Sequence, residues 1–149
     1  MGEPRRQRLR VRYYEVDEYG HVNHANYVHY FETARIEALE AVGLSLQAMR
    51  MRGVMAVAVD LCVKYLSPAG SGDTLEIVTH VSEIRGARTR WIQEIREASS
   101  GRLVATATVT GAFVTAAGRP LRAPEEFRER LSVLHVPARD GEVDGHDDD

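Results

Sequence analysis

The chain has 149 residues, of which 28% are charged and 44% hydrophobic, and a formal net charge of −3; one domain of this size can bury a core without disulfide or metal staples. No apolar run approaches the ~18 residues that span a bilayer, and the opening MGEPRRQRLRVR lacks the apolar stretch of a secretory signal. Cys62 is the single cysteine, which excludes an intrachain disulfide and makes a reducing, cytoplasmic setting the expectation.

The first twelve residues carry five arginines, Arg5, Arg6, Arg8, Arg10 and Arg12. Such a start could meet nucleic acid or acidic lipid. Leu9, Val11 and Tyr13 alternate with the arginines, however, as on a half-buried strand with a wet basic face, and no DNA-binding motif accompanies them. A strand over 8–15 is expected. Gly20, Asn23 and Asn26 then break the alternation and mark a loop. From Asn26 to Val42 the apolar residues Tyr27, Tyr30, Phe31, Ala34, Ala38, Leu39 and Val42 recur every three or four positions, the stripe of a long helix that Gly43 stops. Glu32 and Arg35 stand one helical step apart on it, which predicts an intrahelical ion pair.

A shorter helical piece is expected over 44–51. The period then changes to two. Val57, Val59, Leu61, Val63 and Tyr65 mark one face of a strand ending at Ser67-Pro68, and strands over 75–84, 88–97 and 103–115 follow at short turns. Residues 124–131 add a short helix with Pro124 at its start. The domain is expected to end near residue 132. The last ten residues hold six acids and no Lys or Arg, leaving 1–139 with a formal charge of +3, and 133–149 reads as a disordered acidic tail. The pattern predicts an α+β fold, an antiparallel meander of about five strands wrapped around one long helix.

The chemistry concentrates between Tyr13 and Tyr27. Asp17 lies in the loop before the helix, and Gly20 permits a tight turn between them. The opening N–H groups of a helix lack intrahelical partners and carry the positive end of its dipole, so they suit a carbonyl oxygen that gains negative charge during acyl transfer. A carboxylate beside them can attack that carbonyl or activate a water against it. An aspartate before a helix also serves as a cap or turn residue, and that reading stays open here.

The spacing Asp17-x-x-Gly20-x-Val22-x-x-x-Asn26-Tyr27, followed by Phe31-Glu32-x-Ala34-Arg35, resembles the 4-hydroxybenzoyl-CoA thioesterase family of hotdog proteins. It is also similar to the bacterial acyl-CoA thioesterases associated with the Tol–Pal envelope system. The likeness covers roughly residues 8–131. It implies a hotdog domain that hydrolyses an acyl-CoA or acyl-carrier-protein thioester, with Asp17 as nucleophile or general base and coenzyme A present only as part of the substrate. His24 falls at the helix-start position, where one branch uses the backbone N–H and the other the imidazole together with a tyrosine, here Tyr13. Val16, Glu15 and His21-Val22-Asn23 depart from the second branch. Gly20, Val22, Asn26 and Tyr27 are the implied substrate-binding positions, and Arg88 and Arg90 suit the phosphates of coenzyme A. The resemblance also implies a homodimer with sites at the subunit interface, often doubled to a tetramer.

Plainer readings stand beside these. Tyr13 and Tyr14 on a strand place at least one ring in the core. Asp17, His21 and His24 match no metal-ligand spacing, so neither metal nor redox cofactor is expected. Cys62 reads as an inert thiol, His80 as a strand surface residue, and Arg88 and Arg90 equally as charges protecting an edge strand. His29, on the helix, suits solvent or a subunit neighbour. A non-catalytic acyl-CoA-binding protein and a hotdog enoyl-CoA hydratase are the rival functions, since a fold does not settle chemistry.

Overall fold

The computed structural model describes residues 2–138. Its strands are β1 (Arg5–Arg10), β2 (Met55–Tyr65), β3 (Thr74–Arg85), β4 (Arg88–Glu97) and β5 (Leu103–Val114), and its helices α1 (His24–Ala41), α2 (Leu46–Met51) and α3 (Glu125–Leu131). The strands form one antiparallel sheet in the order β1-β3-β4-β5-β2. Only β3-β4-β5 is a meander. β2 does not pair with β3 as a simple succession of hairpins would have it; the connection through Pro68 and Asp73 carries the chain across, so β1 takes one edge and β2 the other.

α1 lies on one sheet face because its buried residues, Tyr27, Tyr30, Phe31, Ala34, Ala38 and Leu39, fall on one stripe. They meet Leu75, Ile77, Val81, Trp91, Ile95, Ala105, Ala107 and Val109, the alternate residues of the three inner strands. At the centre is a polar tie. The side chain of Gln93, 1% exposed, donates through Nε2 to the Phe31 carbonyl at 2.9 Å and to Thr79 Oγ1 at 3.0 Å. Its Oε1 accepts from Arg35 Nη1 at 3.0 Å. Arg35 is thus held across to the sheet, and Glu32, the partner expected from the sequence, acts on it only through its field.

The first strand differs from its expected bounds. β1 stops at Arg10, opposite the first residue of β3, and the chain closes into a 3₁₀ turn at Tyr13–Glu15, where Glu15 Oε1 accepts the Arg12 N–H at 2.8 Å. Tyr13 and Tyr14 therefore sit on a turn, 81% and 70% exposed, and neither ring enters the core. Arg6 and Arg8 face away from α1 and pair with Glu76 at 2.9 and 3.6 Å.

β2 carries a bulge. Ala58 opposes Gly111 and Asp60 opposes Thr110, so Val59 is the extra residue. The bulge reverses the phase: Leu61, Val63 and Tyr65 share the helix side with Ala56 and Ala58, and Val57 turns its side chain the other way, so the five residues expected on one face are divided. β4 lies between β3 and β5, which removes the edge-strand explanation of Arg88 and Arg90.

The described chain continues past residue 132. A 3₁₀ turn at Ser132–Leu134 buries Leu134, and Val136 N donates to the Val81 carbonyl at 2.8 Å. The acidic run 140–149 lies outside the described residues. Among the described residues, no helix is long and apolar enough to cross a membrane.

Gln93→Leu removes both helix-to-sheet hydrogen bonds, the one donated to Phe31 O and the one accepted from Arg35, and leaves Thr79 without its buried partner. It is expected to cost about 2–4 kcal/mol, read as a lower urea midpoint at an unchanged m value.

Candidate active site

The loop before α1 is a small hairpin. Val16 bridges Val22, Asp17 N–H donates to the His21 carbonyl at 2.8 Å, and Gly20 N–H donates to the Asp17 carbonyl at 3.0 Å. Gly20 has φ +78°, a conformation open to glycine at little cost. One carboxylate oxygen of Asp17 closes the turn: Oδ1 accepts from Tyr19 N–H at 2.9 Å and His21 N–H at 3.3 Å. Those bonds orient the carboxyl group, and among the described residues Oδ2 has no hydrogen-bond partner. Behind it, Val22 N–H donates to the Ala69 carbonyl at 2.8 Å and His21 bridges Gly70, so the hairpin rests on the β2–β3 connection.

The start of α1 is fixed by one carbonyl. Glu15 O accepts from Asn23 N–H at 3.0 Å and from Asn26 Nδ2 at 2.8 Å, tying the 3₁₀ turn two residues before Asp17 to the first turn of the helix. Asn23 caps α1, its Oδ1 accepting from Ala25 N–H at 3.0 Å, and its carbonyl takes Asn26 N–H at 2.9 Å. The His24 N–H remains, with no protein partner among the described residues. Its carbonyl accepts the Tyr65 hydroxyl at 2.9 Å, and the Tyr65 ring packs 5.5 Å from that of Tyr27, which pins the helix start to the end of β2. Tyr30 reaches the same region from one turn on. Burial, and then the neighbouring Glu15 carboxylate, push its phenol well above the ordinary range.

The other residues singled out in the sequence divide clearly. Gly20 sits exposed at the turn; Val22 and Tyr27 lie in the core, 5% and 4% exposed; the Asn26 side chain is engaged by Glu15. The imidazoles of His21, His24 and His29 are on the surface. Tyr13 packs edge-on against Tyr14 at 5.8 Å and projects outward with it. Cys62 and His80 are half-buried on the face away from α1. Among the described residues no group of three His, Cys, Asp or Glu could hold a metal ion. Arg88 and Arg90 share the face away from α1 with Thr110, beside Glu83 and Arg85 around a shallow cavity of about 240 Å³. They are also at the wrong end for Asp17 of their own chain. Tyr65, Ala105 and Ile95 are aligned across the sheet at the helix start, and Arg90 and Arg88 lie roughly 17–24 Å away along β4.

A second cavity, of about 290 Å³, was not anticipated. It opens between the later half of α1 and strands β2, β4 and β5, with Arg35, Leu39, Val57, Trp91, Gly111 and Phe113 in its wall. Two signals in the sequence could have found it: a charged Arg35 on the helix stripe between Phe31 and Leu39, and a glycine inside an apolar strand.

The fold agrees with what the chain resembles elsewhere. Residues 11–131 match the family model described as the thioesterase-like superfamily. This chain belongs to that superfamily. Among its thioesterase-like relatives, the long-chain acyl-CoA thioesterase FadM of Escherichia coli is 32% identical over 127 residues, which cover 85% of this chain and 96% of FadM. The chloroplastic acyl-acyl carrier protein thioesterase ATL3 of Arabidopsis thaliana is 29% identical over 143 residues, 96% of this chain and 74% of that one. The crystal structure of a hypothetical protein from Thermus thermophilus superposes with a TM-score of 0.80 at 32% identity, covering 87% of this chain and 98% of its own. The five-stranded sheet around α1 is accordingly a hotdog fold.

The Asn23 cap can be tested by itself. Asn23→Ala should lower stability by about 1 kcal/mol in thermal unfolding, and Asn23→Ser should restore most of it because serine also accepts the N–H bond.

Proposed function

We propose that this protein hydrolyses acyl thioesters of coenzyme A or an acyl carrier protein to a free acid and a thiol, with Asp17 as the catalytic carboxylate. The observation that carries this is the pairing, within one braced loop, of a carboxylate oxygen and the His24 N–H at the positive end of α1, both without a partner among the described residues. The thioester carbonyl accepts from His24 N–H, and Asp17 attacks it directly or draws a proton from an attacking water. The negative charge that develops on the carbonyl oxygen faces the helix start. Collapse breaks the C–S bond and the thiolate leaves, taking a proton; in the direct route water then cleaves the acyl-aspartyl anhydride. No metal or redox cofactor enters any step, and a reducing cytoplasm suits the lone thiol of Cys62.

The reading extends to a dimer. β2 is an edge strand of 11 residues whose Met55, Val57, Val59 and Leu61 are exposed, and Tyr13, Tyr14 and Tyr19 are exposed as well. An apolar edge of this length invites pairing. Two copies joined β2 to β2 about a two-fold axis normal to the sheet run antiparallel and keep both α1 helices on one side. The Met55 end of one copy then lies beside the Tyr65 end of the other. That arrangement would bring the end of one copy that holds the larger cavity toward the Asp17 and His24 of the second, with Arg88 and Arg90 at the same end on the opposite sheet face. It would give the acyl group a place to go, and the coenzyme A phosphates would meet Arg88 only by passing around the sheet end.

Asp17→Asn keeps an oxygen to accept the Tyr19 and His21 amides, so the turn survives while the negative charge is lost. Thiol release from a panel of acyl-CoAs is expected to fall by roughly 10²–10⁴-fold; full activity in this variant would remove Asp17 from catalysis. His24→Ala separates the imidazole from the backbone amide, because only a side-chain role makes that variant lose its rate. Loss of enoyl-CoA absorbance without free thiol would instead identify a hydratase. The joint substitution Val59→Lys and Leu61→Lys sets like charges across the two-fold. In light scattering it should convert a dimer to a monomer, with hydrolysis lost in parallel; an active monomer would refute the shared site.

A further inference from the structure

The larger cavity holds a cation in an apolar wall. Arg35 sits at a stripe position between Phe31 and Leu39, roughly 16 Å along α1 from His24. Its partner there is the neutral amide of Gln93, whose own amide nitrogen is bound to Phe31 O and Thr79, so the platform cannot turn. Burial depresses the pKa of the guanidinium, and the field of Glu32, itself exposed on the cavity rim, partly offsets that. Arginine stays charged nonetheless, and the Gln93 bond occupies one of its five N–H donors. A cation kept beside Trp91, Leu39 and Phe113 is costly unless an acceptor meets it.

Gly111 shows that the space itself is maintained. It lies inside β5, three residues from its end, without a positive φ, so no backbone conformation demands glycine. A Cβ there would come within 2.8 Å of Thr89 Oγ1 and 3.6 Å of Trp91 Nε1. Thr89 already accepts the Trp91 indole N–H at 3.0 Å, so these two polar groups satisfy each other and Arg35 remains the charged donor of the wall. Glycine within a strand marks a place where something must approach closely.

We infer that this cavity receives the far end of the acyl group and that Arg35 selects acyl chains ending in a carboxylate. The inference rests on the thioesterase reading above and adds the substrate class to it. A carboxylate can accept two parallel N–H bonds from a guanidinium, whereas a methyl end leaves the cation desolvated and unmatched.

The test compares thiol release by the full-length protein from adipoyl-, decanedioyl- and tetradecanedioyl-CoA with hexanoyl-, decanoyl- and tetradecanoyl-CoA. At one chain length or more the dicarboxylic substrate should have a kcat/KM at least ~10-fold above its matched partner. In Arg35→Met that ratio should fall to about one or below. Gly111→Ala, which narrows the cavity without touching the charge, should lower the ratio of the preferred dicarboxylic substrate to hexanoyl-CoA. A wild-type ratio at or below one for every pair overturns the inference and needs no variant to fold; so does a ratio that survives Arg35→Met. Release of no thiol from any of the six defeats the thioesterase reading itself, a result distinct from hydrolysis without preference.

Discussion

The position of α1 on the sheet depends on one buried amide. Apolar contact alone would let a helix slide or rotate by a residue with little change in buried area, because hydrophobic burial is non-directional. Gln93 removes that freedom by bonding the Phe31 carbonyl and Thr79 at once while accepting from Arg35. In a low-dielectric interior such bonds are costly to leave unmade, so only one axial position satisfies all three. Both regions on which the proposals rest follow from it: the helix start, where His24 N–H has no partner among the described residues, and the Arg35 cavity further along.

A second constraint governs the loop. Glu15 contributes through its carbonyl, which gathers Asn23 and Asn26, and through its carboxylate, which closes the 3₁₀ turn onto Arg12. Asp17 and the start of α1 are thereby held by the same residue from two directions. The turn bonds to Asp17 Oδ1 do not compete with a catalytic role; they fix the carboxyl group and leave its second oxygen available. A single chain nevertheless presents these groups at an open surface beside an uncovered strand, with the cationic and apolar elements at the far end of the sheet. The proposed β2-to-β2 dimer answers to that separation, because it would bring the far end of one sheet to the helix start of the other.

Local periodicity was enough to read most of the elements. The alternation over 88–97 coincides with β4, and the stripe of Tyr27, Tyr30, Phe31, Ala34, Ala38 and Leu39 is the buried face of α1. Those patterns depend only on which neighbours share a face. The errors arose where a residue's environment is set by chain distant in sequence. Tyr13 and Tyr14 continued the β1 alternation, but β3 begins opposite Arg10 and offers no further partner, so the strand ends and the rings turn outward. Val59 looked like one more inward valine until the extra residue against β5 reversed the phase. The Asn26 side chain likewise has a contact that no local pattern marks, its Nδ2 donating to the Glu15 carbonyl.

By itself the sequence determined the order of elements, the polar loop carrying Asp17, and the family to which the spacing of Asp17, Gly20, Asn26 and Tyr27 points. These are properties of short windows, where one turn or one face is complete within a few residues. Tertiary structure alone decided the strand order, the separation of Arg88 and Arg90 from Asp17, and the placing of Arg35 in a cavity wall. The reason is that each depends on which strands become neighbours, and backbone pairing between segments far apart in the chain leaves no periodic trace in either one.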